Sequence, residues 1–437
     1  MPKCTQKEFG FPSFDRREIA ANFGGGDVSS DGGVMLLREA DRRLGLVTAL
    51  DAVLPDPRQP DLIVHRQADL LRQRIYGLAL GYEDLNDHET LREDVVWQTA
   101  LERGEVLASD STLCRLEKRA NRAAAVAFHR VLIEKFIASF AQAPEELILD
   151  FDATDDRVHG QQEGRHFHGY YGDWCFLPLY VFCGEQLLVS YLRPSNIDAA
   201  HHSWAILKLL TQRLRAAWPQ VRIILRADSG FCRWRMLRWC DKHQVDYIVG
   251  LAKNARLKAL GAELMEQARA AFMLTGEKQR HFAWVEYAAG TWDRARQVIA
   301  KAEYGEQGEN PRFVVTSLTG EAQVLYDAVY CGRGEMENRI KEQQLGLFSD
   351  RTSCQGWWAN QFRVLLSSCA YVLLETIRRV GLAATELARA QVGTIRLKLL
   401  KIGTVIMRNT RRIRLFFSSA YPYAALFRHV CTALAGP

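Results

Sequence analysis

The chain has 437 residues, of which 48% are hydrophobic and 25% charged, and a net charge of +6. That length suits two or three domains, and the apolar content excludes an intrinsically disordered chain and a small disulfide-stapled scaffold. The ten cysteines form no C-x-x-C pair, no charge-free run reaches the roughly 18 residues of a membrane span, and the opening residues lack an apolar signal core. A soluble cytoplasmic protein with reduced thiols and no membrane partner is expected.

Residues 1–145 read as helical with short turns. Asp31-Gly32-Gly33 opens a helix through Val34 to Leu37 with Asp31 near its cap, and Leu62 to Leu85 has apolar residues at helical spacing. Gly24-Gly25-Gly26 is not followed by Lys and Ser/Thr, so it reads as a hinge or turn rather than a phosphate cradle. A helix between Ala108 and Ala125 sets Arg115, Lys118, Arg119 and Arg122 on one basic face. Behind a short preceding helix it is a helix-turn-helix-like candidate for DNA contact, although a solvated surface has the same pattern.

The pattern changes at Glu146. Leu147 to Asp152 is an apolar strand ending in acids, and Phe176 to Phe182 with Leu187 to Leu192 is a hairpin turning at Gly184-Glu185. An amphipathic helix over His201 to Trp218 precedes a strand from Val221 to Leu225, and a helix over Trp234 to His243 precedes a strand from Asp246 to Leu251. The order β-β-β-α-β-α-β predicts a mixed α/β sheet covered by helices. From Arg256 a β-rich insertion is expected, with strands at His281 to Ala288, Arg296 to Ala302 and Phe313 to Ser317. Helices resume near Ala328, and the chain closes with a hairpin spanning Thr394 to Phe417 and a short helix. From Ala390 onward there are eight Lys or Arg and no acid, a one-signed surface suited to a polyanion.

Two apolar strands each lead into an aspartate, and ligands of open α/β sheets collect at the carboxyl ends of strands. If the strands are neighbours, Asp152 and Asp228 face each other and repel unless a cation separates them. Mg²⁺ is the expected cation for such oxygen donors, and a pair of ions supports in-line phosphoryl displacement. Tyr330, Arg333, Glu337, Lys341 and Gln344 lie at offsets 0, 3, 7, 11 and 14, one stripe of a helix, so Glu337 supplies a third acid beside an arginine suited to clamping phosphate. A solvated charged helix shows the same spacing.

Together, Asp152-x-Thr154, Arg226-Ala-Asp228-Ser-Gly-Phe231 and Tyr330-x2-Arg333-x3-Glu337 resemble the DDE transposases of bacterial insertion sequences, most closely the insertion-sequence thirteen-eighty family within the Tyr-Arg-Glu-Lys signature group. Ser30-Asp31-Gly32-Gly33, His159-Gly160-x-Gln162-Glu163-Gly164, Glu337 to Glu342 and Asp350-Arg351-Thr352-Ser353 extend the resemblance over nearly the whole chain.

The resemblance implies a ribonuclease-H-like catalytic domain interrupted by a β-rich insertion. The divisions are a helical end-binding or dimerising region (1–145), the catalytic core (146–255 and 325–388), the insertion (256–324) and a basic C-terminal region (389–437). It implies Asp152, Asp228 and Glu337 as the metal-binding catalytic triad, with Mg²⁺ or substituting Mn²⁺. Tyr330 and Arg333 would contact DNA near the cleaved end. The partners would be double-stranded DNA, as terminal inverted repeats and target, and a second copy in a homodimer. Trp284 and Trp292 are candidates to hold a flipped base, with core packing as the other reading. Arg411, Arg412 and Arg414 are candidates for DNA contact. The signature lysine is Gln344 here, leaving Lys341, one turn after Glu337, as its substitute.

Asp150 and Asp152 share a strand face, so the first acid is ambiguous. Asp150-x-Asp152-x-Thr154 also matches haloacid-dehalogenase-like phosphatases, with Asp150 as nucleophile and Asp152 as acid/base. A third reading is a transposase-derived DNA-binding protein that has lost catalysis. His159, His166 and His168 have no accompanying cysteine cluster and are read as residues of the site's edge rather than zinc ligands.

Overall fold

The computed structural model describes residues 8–436, which divide into two compact units. One unit runs to Glu117 and resumes at Leu373; the other is Lys118–Val372. No helix among the described residues is long and apolar enough to cross a membrane.

In the first unit, α1 (Val34–Leu44) and α2 (Gln67–Leu80) bury Val34, Leu36, Leu37, Leu70, Leu71 and Ile75. Asp31 does not cap α1; Gly33 holds that position. Asp31 is instead buried and accepts hydrogen bonds from Tyr82 Oη (2.8 Å), Trp97 Nε1 (2.9 Å) and Lys401 Nζ (2.9 Å). A Cβ on Gly33 would stand 2.0 Å from the Leu399 carbonyl oxygen, so the Gly32-Gly33 pair serves close backbone approach.

The unit is not all helical before residue 145. Phe9–Phe14 and Arg17–Ala21 form a hairpin, and Asp27–Ser29 adds to a three-stranded sheet with Thr404–Arg408 and Ile413–Phe417. That pairing joins segments far apart in sequence, so local periodicity misses it. The C-terminal hairpin is also shorter than expected, because Val392–Leu400 is helical.

The expected basic helix is broken. α3 (Asp110–Lys118) carries Arg115 and Lys118, Arg119 lies in a turn, and Arg122 opens α4 (Arg122–Ala138). Asn121 makes the break by capping α4, its Oδ1 accepting from the Ala124 N–H at 3.0 Å. The four cations therefore do not form one helical stripe.

The second unit is built on one mixed sheet. Its strands are β1 (Glu146–Ala153), β2 (Leu179–Cys183), β3 (Gln186–Tyr191), β4 (Arg222–Ala227), β5 (Asp246–Leu251), β6 (Gln279–Tyr287), β7 (Arg296–Gly305), β8 (Gly308–Glu309) and β9 (Arg312–Thr316). The order is β6-β7-β9-β5-β4-β1-β2-β3, with β8 on β7. β5, β4 and β1 are parallel and the remaining pairs antiparallel. α5 (Ser203–Ala217) and α6 (Trp234–Lys242) supply the connections that parallel neighbours need, burying Leu207, Leu210, Leu214, Met236 and Leu237.

This is the mixed α/β architecture expected from the element order. The strands predicted within 256–324 form, and they extend this same sheet through β9 on β5. A helix not anticipated there, α7 (Ala262–Thr275), packs on β6 and β7.

Candidate active site

Register brings the first two acids together. Ala227 of β4 pairs with Phe151 of β1, so the next residues lie side by side, about 5 Å apart at strand spacing: Asp228 just past the end of β4, and Asp152 still within β1, paired on its other side with Tyr180 of β2. Asp228 caps a short turn over Ser229–Phe231, its Oδ1 accepting from the Gly230 N–H at 2.9 Å.

The third acid arrives on α8 (Gly334–Lys341). The predicted single stripe is interrupted: Leu325–Tyr330 is a π-helical turn, Cys331–Arg333 a 3₁₀ turn and Glu342–Gly346 a second π-helical turn. Arg333 spans the gap between strand and helix. Its Nη1 lies 3.2 Å from Asp152 Oδ2 and its Nη2 2.6 Å from Glu337 Oε1.

Electrostatics ties the group together. Burial pushes the Asp152 carboxyl up to about 7; Arg333 opposes this, and the charges of Asp228 and Glu337 add to it. Burial works against the Arg333 charge, but Asp152 and Glu337 outweigh it and raise its proton affinity. Burial also raises Tyr330, with Asp228 adding to the effect and Arg333 opposing it. A Cβ on Gly250 would stand 2.6 Å from Tyr330 Oη and 2.8 Å from the Ser229 nitrogen, so β5 reaches the Asp228 turn only because residue 250 has no side chain.

Asp150 faces a different environment. It is 1% exposed, and both carboxylate oxygens are taken by Arg226, whose Nη2 lies 2.7 Å from Oδ2. Arg226 Nη1 also donates to the Val329 carbonyl at 2.6 Å, and a Cβ on Gly332 would stand 2.6 Å from that nitrogen. One guanidinium therefore links β1, β4 and the segment leading to α8. The missing side chain at Gly332 makes room for this guanidinium, whereas Gly334 has open space around it. A phosphatase nucleophile at Asp150 has no free oxygen.

The other candidates are dispersed. Gln344 Nε2 donates to the Asp155 carbonyl at 2.9 Å, pinning the segment just past Asp152, while Lys341 is exposed on the last turn of α8. Trp284 lies half-open on β6, an edge strand four strand spacings or about 20 Å from β4, its indole N–H donating to Gly320 at 3.3 Å. Trp292 packs on Tyr287 and under the Arg296 guanidinium. Lys118 and Arg122 are exposed, and Arg119 is half-buried. Arg115, Arg411, Arg412 and Arg414 are exposed in the first unit.

Three contributors were not anticipated: Arg226 as a strut, Gly250 as a gap, and Tyr171, pushed up to about 12 by burial and by Asp155 and Asp152. An arginine inside an apolar strand and a lone glycine inside another were the available signals.

The donor set suits a hard divalent cation: Asp152, Asp228 and Glu337 offer carboxylate oxygens, and the raised proton affinity of Asp152 is relieved by added positive charge. Among the described residues no three His, Cys, Asp or Glu side chains already form a closed ligand cluster; here Arg333 bridges Asp152 and Glu337.

The family described as transposase DDE domain group 1 matches residues 11–436. Among solved structures, the chain is similar to a piggyBac transposase in a synaptic complex with hairpin DNA, with a TM-score of 0.43 and 9% identity over 85% of this chain and 80% of that one. No curated protein matches.

Proposed function

The chain belongs to the transposase DDE domain group 1 family, and on that premise we propose that it is a metal-dependent DNA transposase acting on terminal inverted repeats. It cleaves donor DNA and joins the freed 3′-hydroxyl ends to target DNA. The observation that carries this reading is the side-by-side placement of Asp152 and Asp228 at the carboxyl ends of parallel strands, with Glu337 tied to Asp152 through Arg333. The finer assignment is to the insertion-sequence thirteen-eighty family, with a ribonuclease-H-like core divided as 146–255 and 325–388, an insertion at 256–324, and terminal regions at 1–145 and 389–437. The protein works in the cytoplasm as a homodimer on double-stranded DNA.

Asp152, Asp228 and Glu337 would hold Mg²⁺, or Mn²⁺ in its place. The chemistry supplied there is a lowered pKa for bound water or hydroxyl and neutralised charge on the transferring phosphoryl. Arg333 holds Asp152 and Glu337 in one place before substrate arrives and presents a planar cation to a phosphate. Tyr330 keeps its proton and offers a hydroxyl beside the Asp228 turn. Gln344 orients the chain after β1, and Lys341 is the nearby exposed cation for the DNA backbone. Trp284, more open than Trp292, is the better surface for an unstacked base. Arg115, Lys118, Arg119, Arg122, Arg411, Arg412 and Arg414 supply phosphate contacts.

The test is a plasmid carrying the element's ends, incubated with Mg²⁺ or with Ca²⁺, with excision products resolved on a gel and a small phosphomonoester assayed in parallel. Mg²⁺-dependent excision with no phosphomonoester turnover is expected. Phosphomonoester turnover without excision overturns the reading, and specific end binding with no cleavage in any divalent ion leaves a catalytically silent DNA-binding protein in its place.

A further inference from the structure

The hairpin Phe9–Phe14/Arg17–Ala21 is exposed on both faces, and among the described residues no third strand joins it. A lone two-stranded hairpin is at best marginally stable in water. Its register pairs Phe11 with Ile19 and Phe9 with Ala21, which puts Phe9, Phe11 and Ile19 on one face. Phe23 adds its ring 5.8 Å from Phe9. Phe11 is 55% and Phe23 87% exposed.

A second uncovered apolar surface lies in the same unit. In the three-stranded sheet, Val28, Val405 and Phe416 are register partners and form a row across all three strands, with Met407 beside it on the same face. Val28 is 60% and Met407 61% exposed. Gly24-Gly25-Gly26 joins the hairpin to this sheet, with Gly26 at φ +76° and open space around it, the conformational freedom of a hinge.

We propose that the hairpin is an exchange arm that docks on the outer face of the three-stranded sheet of a second copy of this chain, which returns its own arm in the same way. Charge argues for a protein partner: residues 8–27 carry four acids (Glu8, Asp15, Glu18, Asp27) against Arg16 and Arg17, which repels a polyanion. The receiving hairpin carries Arg408, Arg411, Arg412 and Arg414 and no acid between Thr404 and Phe417. Its apolar row sits toward the base of that hairpin, and Arg411 and Arg412 sit at its tip. Area argues the same way. With about 200 Å² per fully exposed aromatic, arm and row each offer several hundred Å², and a two-fold exchange covers roughly 1,500–2,000 Å², the size of a stable interface. An arm meeting a sheet twice about one axis is a closed, self-complementary contact.

The experiment is light scattering on the full-length protein across the micromolar range, without DNA, for wild type, Phe11→Glu and Met407→Glu. Both side chains are already open within one chain, so circular dichroism stays unchanged, as does the melting temperature at concentrations below the dimerisation range. A wild-type dimer is expected, weakened at least about tenfold by either substitution and by added salt. An equimolar mixture of the two variants regains dimer, because one intact arm then meets one intact sheet. A wild-type protein that stays monomeric throughout overturns the proposal, as do variants that dimerise like wild type. If the variants dimerise like wild type but lose duplex binding in a parallel gel-shift assay, the surface belongs to DNA instead.

Discussion

Two guanidinium–carboxylate sites flank the carboxyl ends of β1 and β4, and they are opposites. At Asp150 the partner is exclusive: Arg226 takes both oxygens, the pair is buried, and the one remaining contact is the Val329 carbonyl. Two residues along the same strand face, Asp152 shares Arg333 with Glu337 and lies within reach of the Asp228 charge, on a side chain 15% exposed. The first site is electrically closed and fits a structural role. The second holds more negative than positive charge and is open to solvent, the condition in which an added cation is stabilised. The placement of the arginines, rather than the acids themselves, separates the two aspartates.

The largest expected effect follows from removing charge at the open site. Asp228→Ala and Asp152→Asn are each expected to lower Mg²⁺-dependent strand cleavage by at least about 10²–10³-fold, the scale of losing one preorganised charge-stabilising group, with end binding retained. Cleavage at the wild-type rate in either variant removes that residue from the mechanism. At the closed site the effect is on folding. Arg226→Met leaves a buried Asp150 unpaired and should cost about 3–5 kcal/mol in urea unfolding. Arg226→Met with Asp150→Leu should recover most of that loss, since both charges are then gone. If the double variant is as unstable as the single one, the pair is not the isolated strut described here.

Much of this contrast was legible in the sequence. Apolar runs leading into Asp152 and Asp228 marked the two strands, whose parallel pairing the register supplies, and the Arg333–Glu337 spacing of one helical turn survives as an ion pair although the segments on either side are π-helical or 3₁₀. What was hidden depends on contacts between distant residues. Asp150 and Asp152 are equivalent by alternation, and only the register of β4 shows which one Arg226 seals. The basic stripe from Arg115 to Arg122 failed because a single cap, Asn121, outweighs apolar periodicity that runs through it. Asp31 resembled a cap, but its donors, Tyr82, Trp97 and Lys401, come from segments that no local window contains.

Smaller changes sharpen the contrast. Gly250→Ala forces a methyl against Tyr330 Oη and the Ser229 nitrogen and should cost about 1–3 kcal/mol, with cleavage falling more than end binding because the Asp228 turn shifts. Unchanged cleavage would show that the turn has room to spare. The open site also predicts a pH effect in divalent-free buffer. The Asp152 pKa is raised from 3.8 to about 7 on folding, so between these values the folded chain binds more protons than the unfolded one. Its contribution to stability is present at the acid end of that window and is lost as pH rises through about 7. Wild type should therefore lose melting temperature relative to Asp152→Asn between about pH 5 and about pH 8, and a difference that does not vary with pH contradicts the shift.

A third kind of guanidinium completes the series. Arg411, Arg412 and Arg414 are exposed, and among the described residues none has a carboxylate within ion-pair distance, so they neither brace the fold nor balance an acid within one chain. Surface cations of this kind contribute little to stability, and neutralising all three to Gln should leave unfolding within about 0.5 kcal/mol of wild type. Their effect should appear against a polyanion, beyond any pull on the acidic arm of a second copy. Each phosphate contact releases condensed counterions, so losing three lowers the slope of log affinity against log salt by about 2–3, equally on end-bearing and unrelated duplex. An unchanged slope removes this hairpin from the DNA-binding surface. A loss confined to the end sequence gives it base contacts instead of phosphate contacts.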